Sequence, residues 1–292
     1  MKKVIALVLA LTLVIGLLQS PGRVTGGSIT FEGEDLLAYT PEQMRQFRGN
    51  KVSMIFQNPM TCLNPVYTIG YQLMEALLCH DNTISKAEAW KRAVDMLDEV
   101  GINNPEKRMK QYPHEFSGGM RQRAMIAMAL ICEPKLLIAD EPTTALDVTI
   151  QAQILELMKD LQKKKNTSII FITHNLGVVA EICDRVSVMY AGHIIEQGPV
   201  NDIFYKPAHP YTKGLLASTP RLDVETKERL VPIEGTPIDL LNPPKGCNFG
   251  PRCKNCMKIC LREKPPFSQV GDGHISACWL HIREQAGKEG RT

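Results

Sequence analysis

LLIADEPTTALD, residues 136–147, is the stretch that decides the fold of this 292-residue chain. Leu136, Leu137, Ile138 and Ala139 run without interruption into Asp140 and Glu141, and Pro142 ends the run. A short continuous apolar run bounded by such a stop reads as a strand buried on both faces of a parallel sheet. Open α/β sheets bind ligands at the carboxyl ends of their strands, so both carboxylates are expected at a ligand edge. Asp140 suits a role holding Mg²⁺ through water, and Glu141 is placed to orient or deprotonate a water attacking a phosphoryl group. An apolar strand ending in Asp-Glu is common by itself. The Pro-Thr-Thr-Ala-Leu-Asp that follows makes it specific.

On either side the chain alternates helix and strand. FSGGMRQR (116–123) opens a long apolar helix, with Ser117 as its cap and Gly118 and Gly119 allowing close approach of a ligand to the backbone. Free N–H groups beside a hydroxyl at a helix start make a natural phosphate clamp. Downstream, VTIQAQILELMKDLQKKK reads as an amphipathic helix and TSIIFITHN as another fully apolar strand, which delivers His174 to the same ligand edge. Upstream, VSMIFQ (52–57) is a third strand ending at Gln57. GSITFEG (27–33) reads as a short strand running into a turn, and a helix starts at Ser85 with a capping box to Glu88 and stops at Gly101. SVMY and HIIEQG are a strand pair joined through Ala191-Gly192. Strand–helix–strand units at these spacings imply a parallel sheet with helices on both faces. Past Pro207 proline density rises and the periodicity fades, marking a separate appendage.

Composition is that of an ordinary globular chain, with 44% hydrophobic and 22% charged residues and a net charge of +3. That excludes a disordered or polytopic membrane protein, and the interspersed charges give no nucleic-acid signal. Lys163–Lys165 read as a solvated helix C-terminus favoured by the helix dipole. Cys62, Cys79, Cys132 and Cys183 are expected to act as small core residues. Cys247, Cys253, Cys256, Cys260 and Cys278 crowd the C-terminal region, and their odd number favours a metal or cluster site over a disulfide framework. The opening MKKVIALVLALTLVIGLL has the first two parts of a signal peptide without a clear cleavage site, and is short for a membrane span.

Taken together, these residues resemble the ATP-binding subunit of an ABC transporter. Gln57 matches the Q-loop, Ser117-Gly118-Gly119 the signature motif, and Leu136 to Glu141 Walker B. Ala145-Leu146-Asp147 matches the D-loop and His174 the switch histidine. The resemblance covers about residues 23–282, and Met120 stands where many members carry glutamine. It implies a P-loop NTPase-like α/β fold: a parallel sheet, a helical signature subdomain and a small Cys-rich C-terminal extension. The implied domains are an atypical hydrophobic segment at 1–22, the ATPase domain at 23–206 and the extension at 207–292. HPYTKGLLASTPRLD (209–223) and the cysteine pattern are similar to the extension of oligopeptide and dipeptide importers. In some members that pattern holds a 4Fe–4S cluster, so Cys247, Cys253, Cys260 and Cys278 are the implied ligands of such a cluster or of zinc. Cys256 lies between them as a potential substitute.

The same resemblance implies ATP and Mg²⁺ as ligands, with Glu141 and His174 catalytic and Gln57 and Asp140 serving the metal. Ser117, Gly118, Gly119 and Asp147 would serve the nucleotide, Ser117 in trans across a dimer of ATPase subunits. The implied partners are that second subunit, two membrane permease subunits and an extracytoplasmic peptide-binding protein, at the cytoplasmic face of the plasma membrane. No residue of this chain matches G-x-x-x-x-G-K-[ST], the loop that cradles nucleotide phosphates. Counting back from SPGRVTGGSITFEG places the helix behind that loop on about residues 8–18, with the loop's lysine falling near Leu7. Losing the strand before the loop would leave buried groups unpaired at about 1–3 kcal/mol each, against a total stability of about 5–15 kcal/mol. Poor folding or weak ATP binding is therefore expected. The competing readings are a nucleotide-loop-deficient regulatory subunit beside an intact ATPase, a DNA-repair relative and an exported protein. The DNA-repair reading lacks a coiled-coil insertion, and export rests on the first 18 residues alone.

Overall fold

The computed structural model describes residues 14–16, 18, 22–57, 62–144, 146–219 and 231–282. Most of the apolar opening lies outside the described residues, so both readings of it, signal-like or helix behind a phosphate loop, do too. The described residues divide into two units, one up to His174 and one from Asn175 onward.

In the first unit, β1 (Thr30–Phe31) and β2 (Glu34–Asp35) form a small antiparallel hairpin. Its two-residue turn puts both Glu32 (φ 51°) and Gly33 (φ 89°) in the left-handed region, which matches the right-handed twist of the paired strands. β3 (Val52–Ile55), β4 (Leu136–Asp140) and β5 (Ser168–Ile172) make the expected parallel sheet, in the order β3-β4-β5. Among the described residues β3 and β5 are its edges. Ile55, Leu137, Ile138 and Ala139 are completely buried in it. The register aligns Ile55 with Ala139 and Asp140 with Ile172, so the three strands end at one level.

Helices cover this sheet as the periodicity requires. Helix Val148–Lys165 buries Ile154, Leu155, Met158 and Leu161, one stripe along its length. Helix Gly118–Leu130 is apolar from Ala124 onward and buries Gln122, Ala124 to Ala127, Ala129 and Leu130. Helices Ile69–Leu78, Lys86–Glu99 and Pro105–Met109 form a helical group. There a Cβ on Gly70 would come within 2.6 Å of the Met109 carbonyl oxygen, so only glycine allows that approach. Ser85 accepts from the Glu88 N–H at 3.1 Å, but the reciprocal half of the expected capping box does not form and exposed Glu88 is left to water. Gly101, at φ 73°, takes the left-handed conformation just past the end of this helix.

In the second unit, helix Leu176–Ile182 leads into β6 (Arg185–Tyr190) and β7 (His193–Pro199), joined through Ala191 (φ 50°) and Gly192 (φ 80°). Helices Val200–Tyr205 and Pro210–Ala217 follow, and β8 (Ser268–Gly271) and β9 (His274–Ser276) return to the sheet. The order is β6-β7-β9-β8, antiparallel throughout. The appendage thus supplies half of this sheet's strands. Val188, Tyr190, Ile195, Ile203, Tyr211 and Phe249 form its core. The Tyr190 ring lies 4.7 Å from Tyr211 and 5.3 Å from Phe249.

One buried carboxylate ties the two parts of this unit together. Glu196 on β7 is fully buried and accepts from the Ala208 N–H (2.6 Å), the His209 N–H (3.0 Å) and His274 Nε2 (2.8 Å). His209, Pro210 and Tyr211 therefore open their helix from a fixed point, with His209 Nδ1 accepting from the Tyr211 N–H at 3.0 Å. Burial is the main cause that pushes the His209 imidazole down to about 4, against the opposing charge of Glu196.

The scattered cysteines depart from expectation. Cys62, Cys132 and Cys183 are only half-buried, and Cys79 is exposed because it ends helix Ile69–Leu78 at the surface. The lysine run behaves as expected at the end of its helix and adds ion pairs, Lys164 to Glu99 (2.5 Å) and Lys165 to Glu133 (3.0 Å). Among the described residues no helix is long and apolar enough to cross a membrane.

Candidate active site

The parallel register turns three sequence-distant residues into neighbours. β4 carries its ladder one residue past Asp140, the Glu141 N–H donating to the Ile172 oxygen at 2.9 Å. There the backbone swings to φ 45°, an uncommon conformation for a residue with a side chain. This turn lays the Glu141 carboxylate, only 4% exposed, across the ends of the strands. Gln57, two residues past β3, donates from Nε2 to Glu141 Oε2 at 2.8 Å. His174, two residues past β5, meets Oε1 through Nδ1 at 2.8 Å while most of its ring stays in solvent. Thr144, three residues on, adds a hydroxyl bond to Oε2 at 3.0 Å. Gln57, Glu141 and His174, each picked out at a strand end, thus meet at one carboxylate.

Asp140 sits directly behind, buried, and its Oδ1 has no hydrogen-bond partner. Burial first, and then the charge of Glu141, hold its carboxyl above the usual range. An orphaned buried carboxylate oxygen beside a second carboxylate fits a divalent cation, which would offset both causes.

The signature residues and Asp147 are not gathered at Glu141. Ser117 is the N-cap of helix Gly118–Leu130, its hydroxyl accepting from the Met120 N–H at 3.3 Å. Gly118 and Gly119 form the first turn of that helix, and a Cβ on Gly119 would lie 3.1 Å from Ile150. Asp147 caps helix Val148–Lys165, accepting from the Ile150 N–H at 2.9 Å. Ala145 lies outside the described residues. The link between the signature helix and Glu141 is a residue the sequence did not flag. Gln122, 2% exposed, donates from Nε2 to the Pro142 carbonyl oxygen. A glutamine set between Arg121 and Arg123, at the point where the helix turns apolar, was the available signal. Thr144 carried no signal beyond its place in the motif.

In the second unit, Cys247, Cys253, Cys260 and Cys278 line one small cavity together with His209 and Phe249. Cys256 is exposed and outside that lining set. Burial pushes up the thiols of Cys247 and Cys253, and that of Cys278 to about 11. The donor set has the chemistry of a thiophilic site. Even so, among the described residues no three metal-ligating side chains are gathered closely enough to hold an ion.

Fold and site together are those of the ATP-binding cassette class. The ABC transporter family model matches residues 10–144, and the model for the oligopeptide/dipeptide transporter C-terminal region matches residues 195–260. The cbiO1 subunit from Clostridium perfringens, part of the ABC transporter complex cbiONQ, superposes with a TM-score of 0.59 at 27% identity, over 68% of this chain and 74% of its own. The cassette MJ0796, a dimer bound to ADP and Pi, shares the fold with a TM-score of 0.57 at 23% identity, over 66% of this chain and 79% of its own. Within that class, this chain belongs to the oligopeptide/dipeptide transport ATP-binding proteins. It is 60% identical to the oligopeptide transport ATP-binding protein OppD of Bacillus subtilis, over 89% of this chain and 72% of that one. It is 59% identical to the dipeptide transport ATP-binding protein DppD of the same organism (88% and 76%), and 55% identical to OppD of Salmonella typhimurium (92% and 79%).

Proposed function

We propose that this chain is the ATP-hydrolysing subunit of an importer for di- or oligopeptides, working at the cytoplasmic face of the membrane. Two permease subunits, a second ATPase subunit and an extracytoplasmic peptide-binding protein complete the complex. The observation that carries this reading is the Glu141 carboxylate, buried at the carboxyl edge of the sheet and held by Gln57 and His174 from the neighbouring strands. A carboxylate so placed orients the attacking water and takes its proton as the γ-phosphoryl bond breaks. His174, largely in solvent at that edge, is free to turn toward the transferred phosphoryl group. Mg²⁺, when bound, neutralises charge on the phosphate oxygens, and Asp140 with Gln57 would hold it. Ser117, Gly118 and Gly119 offer N–H groups and a hydroxyl at a helix start to the nucleotide on a partner subunit, and Asp147 would serve the same nucleotide. The ATPase domain is assigned to 23–206 and the extension to 207–292.

The test is ATP turnover by the assembled transporter in proteoliposomes. Peptide-loaded binding protein should stimulate turnover, and Glu141→Gln should reduce it by at least about 100-fold, as expected when a principal catalytic group is removed. Turnover unaffected by Glu141→Gln would overturn the assignment.

For the extension, we infer that Cys247, Cys253, Cys260 and Cys278 take up a thiophilic group, a 4Fe–4S cluster or a zinc ion. Their convergence on one cavity supports this reading. Iron, acid-labile sulfide and zinc content of protein purified without oxygen checks it. Stoichiometric absence of all three would refute it.

A further inference from the structure

We propose that Thr144 is a positioning residue for Glu141: its hydroxyl pins Oε2, so that Oε1 is the oxygen presented to the attacking water. This rests on the reading of Glu141 as the carboxylate that serves that water.

Three groups hold the carboxylate in this structure, and they differ in kind. Gln57 and His174 come from other strands, and both are exposed. Each has a second expected use, Gln57 toward the metal and His174 toward phosphate, and neither can serve its ligand and keep the same bond to Glu141 unchanged. Thr144 has no such second use. It belongs to the same turn, Glu141-Pro142-Thr143-Thr144, in which the Thr144 N–H donates to the Glu141 oxygen at 3.1 Å. Proline at the second position of such a turn fixes its φ near the required value. Backbone is thus bonded to backbone and side chain to side chain across one turn, at 3.1 and 3.0 Å. Gln122 clamps the same turn from outside through the Pro142 oxygen.

The turn therefore moves as a body with Glu141 and keeps one carboxylate oxygen committed while the other changes partner. Without the hydroxyl, the carboxylate would have both oxygens free once Gln57 and His174 leave. Catalysis by a general base depends on its being within hydrogen-bond reach of the proton it takes, and a small misplacement costs rate rather than binding.

The experiment compares Thr144→Val, which keeps the shape and removes the hydroxyl, with Thr144→Ser, which keeps the hydroxyl. In the assembled transporter, Thr144→Val should lower kcat about 10-fold or more, the scale of one hydrogen bond to a charged group, with KM for ATP unchanged within about twofold. Thr144→Ser should restore kcat to within about threefold of the parent. On the full chain without nucleotide, the carboxylate infrared band assigned by a Glu141→Gln difference spectrum should shift in Thr144→Val and not in Thr144→Ser. Thr144 is exposed, so neither variant should disturb folding. Wild-type kcat in Thr144→Val, or a raised KM at constant kcat, overturns the proposal, as does an unshifted band. A complex containing the parent chain that hydrolyses no ATP would refute the functional reading instead, and the infrared band would then decide whether Thr144 holds the carboxylate.

Discussion

Replacing Glu196 by alanine should detach the cysteine-bearing extension from β7, and the size of the effect follows from what the carboxylate holds. Its two oxygens satisfy the backbone N–H groups of Ala208 and His209 and the Nε2 of His274, at 2.6, 3.0 and 2.8 Å. Glu196 is 0% exposed, His209 and His274 2%, so water cannot replace the lost acceptor without opening the structure. Each of the three orphaned buried donors costs about 1–3 kcal/mol. These overlap, so the whole effect is about 3–5 kcal/mol, a large share of the 5–15 kcal/mol that holds a domain folded. Glu196→Gln keeps one carbonyl acceptor and should lose about half as much.

The assay pairs urea unfolding of the full chain with the rate of thiol modification of Cys260 and Cys278, which are buried in the parent. If labelling requires local opening, a loss of about 3–5 kcal/mol raises the rate about 10²- to 5 × 10³-fold, at 1.36 kcal/mol per factor of ten. The extension should become reactive at urea concentrations that leave the first unit intact. Stability within about 1 kcal/mol of the parent, with unchanged thiol reactivity, would refute the reasoning.

Three further outcomes follow from the same structure. His209 titrates near 4 when folded against 6.5 in the unfolded chain, so its contribution is complete above about pH 6.5 and drains away as pH falls toward 4. That window should cost about 3 kcal/mol, measurable as a falling urea midpoint that His209→Gln flattens. Asp140→Asn should raise the melting temperature of the nucleotide-free chain, since it removes a buried charge with an orphaned oxygen worth about 1–3 kcal/mol. It should abolish Mg²⁺-dependent turnover at the same time, and a lowered melting temperature would show that the charge is compensated. Gln122→Met, close in volume but without the N–H, should cost about 1–3 kcal/mol and speed hydrogen exchange of the amides at 143–147. Unchanged exchange there would show that the signature helix does not restrain the turn.

The sequence alone determined the elements and the family. Apolar runs stopped by Gln57, Asp140-Glu141 and Thr173-His174 marked strand ends; burial on both faces explains the runs of β3 and β4, whereas β5 leaves Ile170 exposed. Ser117 and Gly101 marked helix limits, because a cap satisfies backbone groups only a few residues away. All of these are short-range signals. The tertiary structure decided how the marked residues combine. The register that aligns Asp140 with Ile172 brings Gln57 and His174 onto one carboxylate from 84 and 33 residues away. It assigns Thr144 and Gln122 to the turn they hold, and it makes Glu196 the anchor of the extension. It also corrected the sequence over the scattered cysteines, which lie at helix ends and edges instead of in the core. Hydrogen bonds between distant buried groups leave no periodicity in a chain. They exist only once the strands are aligned, and in this protein they fix where the carboxylate points.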